Sequence, residues 1–219
     1  MLKAIIFDMD GVLIDSMTYH ADAWKTVLAE QGINITRQDI YDIEGSNHEG
    51  VISLMYEKAG KIPVTLEFDE LAYKKREVFR TINQSKPFDG ITECLDILKN
   101  KFRIGVVSGS DKKELMGFIG RFFPDVFDVV VAGDDVRKGK PSPEPYLKAV
   151  QILGIEKEEC IVIENAPMGV ESAKSAGLYC IAMPIYVEPH KLKKADVVLK
   201  NHAALFDYLA TKINIPDQH

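Results

Sequence analysis

The stretch Ala4-Ile5-Ile6-Phe7-Asp8-Met9-Asp10-Gly11-Val12-Leu13-Ile14-Asp15 decides how the rest of the chain is read. Its first four residues are apolar, two of them β-branched, and predict a buried strand. That strand runs into two carboxylates one residue apart, followed by a glycine. In α/β proteins, ligands bind outside the carboxyl ends of parallel strands. Ionised carboxylates buried at such a place are costly unless they are paired or bound to a cation. Taken alone, Asp-x-Asp-Gly is also ordinary turn chemistry. A calcium loop begins similarly, but the glycine and later glutamate it requires are missing here.

Outward from this strand the periodicity changes. Between Met17 and about Asn83 the spacing is helical only. Tyr19, Ala23, Trp24, Val27 and Leu28 line one face of a helix ending near Gly32, and Val51, Leu54 and Met55 mark another stopping near Gly60. Leu71 to Ile82 is rich in charge and reads as a long exposed helix. Beyond Pro87, strands at Ile104–Val107, Val129–Ala132, Ile161–Ile163, Cys180–Ala182 and Val197–Leu199 alternate with helical stretches. Such alternation implies parallel pairing through right-handed crossovers. The expected fold is therefore α/β: a doubly wound parallel, Rossmann-like sheet core carrying an inserted all-α helical-bundle cap. Residues 1–15 and 85–219 make the core and 16–84 the cap. The end of the chain, Ile215 to His219, is expected to fray.

The 219 residues are 46% hydrophobic and 27% charged, an ordinary balance for a globular protein with a real core. The net charge of -6 argues against nucleic acid or an anionic membrane as partner. Cys94, Cys160 and Cys180 lie far apart, which suits reduced thiols better than a disulfide framework or a metal site. The first apolar run is cut short by Asp8 and Asp10, so no signal peptide and no membrane span are expected, and the cytoplasm is the expected location.

Each strand is followed by residues that carry chemistry. Asp8 and Asp10 follow the first, and Ser108-Gly109 the second. Lys138-Gly139-Lys140-Pro141 follows the third, and Glu164-Asn165 closes the fourth. In a doubly wound sheet these ends converge on one edge. A magnesium ion favours oxygen ligands and phosphate, a carboxylate can act as a nucleophile, and phosphoryl transfer needs its oxygens neutralised. Singly, each piece has a plainer explanation, Ser108 as a turn residue and Lys140 as a solvated lysine.

On these motifs the chain resembles the haloacid dehalogenase-like hydrolases along nearly its whole length. The helical insert is similar to that of the branch holding β-phosphoglucomutase and many small-metabolite phosphatases. The resemblance implies that Asp8 is a nucleophile forming an aspartyl-phosphate and that Asp10 is the general acid and base, its backbone carbonyl touching Mg2+. It also implies that Ser108, Gly109 and Lys140 bind phosphate, and that Asp8, Glu164 and Asn165 complete the metal site. The partner it implies is a small phosphorylated metabolite such as a sugar phosphate, and the complete site in one chain suits a monomer. True dehalogenation is disfavoured, since it needs neither Asp10 nor a metal.

Two departures stand out. Glu164-Asn165 replaces the usual Glu-Asp, which removes one negative charge from the metal site. In the insert, His48 stands near the place where the mutase branch carries a phosphate-gripping arginine, and histidine substitutes poorly for a bidentate guanidinium. Hydrolysis is therefore expected over phosphosugar mutation, which is the alternative. A weakly active phosphometabolite-binding protein is the alternative of another class. His20, Lys74 and Lys75 are further candidates to face substrate from the insert, against the plainer possibilities of packing beside Trp24 and of a solvated helix face.

Overall fold

The structure is a computed structural model and describes residues 1–63 and 67–212. The tail expected to fray, Ile215 to His219, lies outside the described residues.

After β1 (Ala4–Phe7) come four helices: α1 (Met17–Glu30), α2 (Arg37–Tyr41), α3 (His48–Lys58) and α4 (Glu67–Ile82). α1 packs chiefly on α4, with Val27, Leu28, Ile52 and Leu71 in their buried interior. The long exposed helix expected at Leu71–Ile82 is amphipathic instead. Leu71, Ala72, Lys75 and Phe79 recur at helical spacing and are all buried, while Lys74 pairs with Glu70 away from that stripe. Five residues are too few to show a period, so α2 leaves no helical pattern in the sequence. Its signal is the capping box of Thr36 and Asp39, each side chain bonding the other's backbone N–H.

The remaining elements alternate strand and helix. α5 (Ile91–Leu98) and β2 (Arg103–Val107) are followed by α6 (Lys112–Phe122) and β3 (Val129–Val131). α7 (Glu144–Leu153) and β4 (Cys160–Glu164) then lead to α8 (Pro167–Ser175), β5 (Tyr179–Ala182), β6 (Val197–Val198) and α9 (His202–Lys212). All strands pair in parallel, in the order β3-β2-β1-β4-β5-β6. Alternate residues of each strand enter opposite cores. Ile5, Phe7, Ile161 and Ile163 meet α5, α6 and α9, whereas Ile6, Val162 and Cys180 meet α7 and α8. The strand order reverses at β1, and a reversal of this kind opens a crevice at the carboxyl edge of the sheet. Cys160 and Cys180 are buried free thiols and Cys94 is half-buried. No helix among the described residues is long and apolar enough to cross a membrane.

Candidate active site

Strand register assembles the site. Phe7 pairs with Ile163 on one side and Val106 on the other. Asp8 and Glu164, each one residue beyond, therefore emerge side by side, and Ser108 follows one step further along the edge, after Val107. The Asp8 amide donates to the Ile163 carbonyl at 3.0 Å, and the Ser108 amide to that of Val131 at 3.0 Å. Lys140 arrives from the loop between β3 and α7 and is buried. Its Nζ donates to Asp8 Oδ1 at 2.5 Å and to Glu164 Oε1 at 2.6 Å. Tyr146 Oη also donates to Glu164 Oε1, at 2.6 Å, and the amides of Asn165 and Ala166 donate to Oε2 at 3.0 and 3.2 Å. Four donors thus fill the lone pairs of Glu164.

Asp10 is held differently. Ser16 Oγ donates to Oδ1 at 2.6 Å, and Ser108 and Ser110 donate to Oδ2 at 3.0 and 3.2 Å. His20 Nε2 lies 3.1 Å from Oδ1, while Lys75 Nζ sits 2.7 Å from His20 Nδ1. An ammonium only donates, so Nδ1 accepts and Nε2 carries the proton given to Asp10. His20 is fixed further by stacking on Phe79 at 4.1 Å. It does not simply pack beside Trp24, and Lys75 is buried rather than solvated. Glu114 lies 3.5 Å from His20 Nε2 and 3.9 Å from Lys75.

These surroundings drive the two aspartates apart. Burial pushes the Asp8 carboxyl well up, reinforced by Glu164 and Asp10 and opposed by Lys140. For Asp10 burial pushes the same way, but attraction to His20 and the bonds from His20, Ser16 and Ser108 outweigh it and hold the group far below its usual range. Burial opposes the charge of Lys140 too, yet Asp8 and Glu164 hold its pKa up, so it stays a cation.

A second carboxylate reaches this edge from the insert. Glu44, between α2 and α3, is buried, and both its oxygens lie 3.0 Å from Asn165 Nδ2. Burial, and then the neighbouring Asp8, push its carboxyl well up. The Asn165 amide spends its donors on Glu44, which leaves Oδ1 as the only buried side-chain polar atom without a partner among the described residues. An orphaned buried oxygen at this sheet edge suits a hard cation. Among the described residues no three His, Cys, Asp or Glu side chains form a ready metal cage. Oxygen donors available at this edge include the Asp8 carboxylate and Asn165 Oδ1, while Glu164 is engaged by its four donors.

Gly109 lies against the insert, where a Cβ would come 2.7 Å from the Gly45 carbonyl oxygen. His48 opens α3 and lines the cleft with Lys75 and Arg76. Lys74 is not brought in; it pairs with Glu70 at 2.9 Å on the outer face of α4. Sequence reasoning missed Ser16, Glu44, Arg76, Ser110, Glu114 and Tyr146. Ser16 closes the opening motif and was within reach. The others come from separate elements and meet only through packing.

The family model described as haloacid dehalogenase-like hydrolase matches residues 5–183. The chain is 33% identical to the phosphorylated carbohydrates phosphatase of Thermotoga maritima, over 91% of each protein. It is 32% identical to the β-phosphoglucomutase of Bacillus subtilis, over 93% of this chain and 92% of that one. Among solved structures, a putative β-phosphoglucomutase from Bacteroides vulgatus superposes with a TM-score of 0.90 at 30% identity. That match covers 99% of this chain and 91% of the other.

Proposed function

This chain belongs to the haloacid dehalogenase-like hydrolases, and we propose that it is a Mg2+-dependent phosphatase of a small phosphorylated carbohydrate or similar metabolite. The observation that carries the reading is the pairing of Asp8 with Lys140 beside an Asp10 held by four separate side chains. The Thermotoga relative, named for phosphorylated carbohydrates, supports the substrate class.

In this reading an Asp8 oxygen attacks the phosphorus and the bond to the leaving oxygen breaks. Asp10, which takes up a proton as the phosphate charge of the substrate settles beside it, gives that proton to the leaving oxygen. Water then attacks the aspartyl-phosphate, Asp10 takes its proton, and the bond from Asp8 to phosphorus breaks to release inorganic phosphate. Asp10 serves both steps because four side chains keep it aimed while its proton comes and goes. Lys140, Ser108 and the backbone at Gly109 hold the transferring phosphate. When bound, Mg2+ at Asp8, Asn165 Oδ1 and the Asp10 carbonyl neutralises phosphate oxygens. Residues 16–84 act as a cap over residues 1–15 and 85–219, carrying His20, His48 and Lys75 to the cleft and excluding water.

Phosphosugar mutation is the second reading, favoured by the Bacillus relative and by Arg76, a residue of the cleft lining whose Nε lies 3.7 Å from Asp111. The test is phosphate release from a panel of sugar phosphates, with β-glucose 1-phosphate also followed for conversion to glucose 6-phosphate. The expected result is Mg2+-dependent phosphate release, abolished by chelator and by Asp8→Asn. Isomer formation without net phosphate release would establish the mutase, and silence from folded protein across the panel would refute both.

A further inference from the structure

We propose that Glu44, on the insert, supplies through Asn165 the negative charge that the sheet edge lacks, so that cation binding and closure of the insert are one coupled event. This rests on the Mg2+-dependent reading above and adds to it a residue that the opening motifs do not contain.

The geometry is specific. The Asn165 amide turns Nδ2 towards Glu44, at 3.0 Å from both carboxyl oxygens, and beside a bound cation, which favours the carboxylate form, Glu44 can only accept. Oδ1 is thereby turned away and left without a partner, although Asn165 is only 1% exposed. A buried acceptor left idle is costly, and here it sits at the sheet edge that also carries Asp8 and Glu164. Glu44 accepts from one end of the amide and polarises the other, which makes Oδ1 a stronger donor to a cation. Partners of this kind, one shell out, fix ligand orientation and basicity.

The charges point the same way. The carboxyl groups of Asp8, Asp10, Glu164 and Glu44 are all buried here, against the buried amino groups of Lys140 and Lys75. This excess of carboxylate is what a divalent cation offsets. Glu44 lies on the insert and Asn165 on the sheet, so the charge that tightens the cation site arrives only with the insert seated. Conversely, a bound cation stabilises the seated form by linkage. Glu44 is thus a positioning residue for the metal, acting through Asn165.

The test is calorimetric titration with Mg2+ alone, and hydrogen exchange with and without Mg2+, on the full chain. The variants are Glu44→Gln, which preserves shape, and the double Glu44→Gln with Asn165→Asp, which moves the charge onto the sheet. Glu44→Gln should bind Mg2+ about tenfold or more weakly, and the double variant should recover the loss. Mg2+ should slow exchange in the segment around Glu44 in the original protein but not in the double variant, whose cation no longer needs the insert. Equal Mg2+ affinity of the original protein and Glu44→Gln would overturn the proposal while leaving Mg2+ dependence intact. So would an exchange pattern indifferent to Mg2+. An original protein that binds no Mg2+ would sink both.

Discussion

Glu164 shows how a fully buried carboxyl group is satisfied at the end of an apolar strand. It closes β4, and Lys140, Tyr146 and two backbone amides converge on it. Hydrogen bonds to a charged buried group contribute more than neutral ones, because the alternative is an unpaired charge out of water. Tyr146, itself fully buried, has its phenol pushed well up by burial and by Glu164, so it remains a donor at every pH the fold survives. Tyr146→Phe keeps the ring and removes one of the two donors on Oε1. It should destabilise the protein by about 1.5–3 kcal/mol, read as a lower urea midpoint with unchanged slope. Lys140 would then carry Oε1 alone, and its grip on Asp8 should loosen, lowering turnover as well. A variant as stable as the original would show that Glu164 does not depend on the phenol.

Two helices test the same substitution with opposite sign. In α6, Gly117 faces open space, with nothing within 4 Å of where a Cβ would stand. Gly117→Ala should therefore stabilise by about 0.5–1 kcal/mol, the ordinary gain in helix propensity. In α8, a Cβ on Gly169 would collide with the Glu164 carboxylate, so Gly169→Ala should destabilise and should disturb Lys140 and Asp8 besides. Thermal melts of the two variants check the pair, and equal shifts in one direction would refute the steric account. This contrast also marks what the sequence can reveal. Apolar runs ending in Asp8, Ser108 and Glu164 are local patterns, and parallel strands linked by crossover helices bring such ends to one edge, so the sheet edge was legible. The approach of Gly169 to Glu164 depends on how α8 returns over β4. The meeting of Glu44 with Asn165 spans 121 residues and depends on how the insert seats. α4 was misread for a related reason: its charges are plentiful, and only the packing of α1 reveals which stripe is covered. Lys74 and Lys75 are neighbours in sequence with opposite fates, decided by helix phase alone.

Across the whole molecule the sheet is held unevenly. β1 is buried and paired on both sides, whereas β6 has two residues, both at least partly exposed, at an edge. Short edge strands open first unless side chains tie them down. Asp196, just before β6, is that tie: it accepts from Lys174 of α8 at 2.8 and 2.6 Å and from the Cys180 amide of β5 at 2.7 Å. Burial pushes its carboxyl up, but the bonds from Lys174 and the Cys180 amide outweigh that and hold it below the usual value of 3.8. A carboxyl lowered by folding contributes stability that is fully present above its unfolded value and is lost as pH falls through the folded one. Asp196→Asn should therefore lower stability at neutral pH by about 1 kcal/mol, discounted for the partial exposure of the pair. Other carboxylates also protonate in acid, so the difference between original and variant is the quantity to follow, by urea denaturation at pH 7, 5, 4 and below. The gap should hold down to about pH 4 and close beneath it as Asp196 takes up its proton. A gap that stayed constant into acid would mean that Asp196 secures the edge by its shape and hydrogen bonds alone, without its charge.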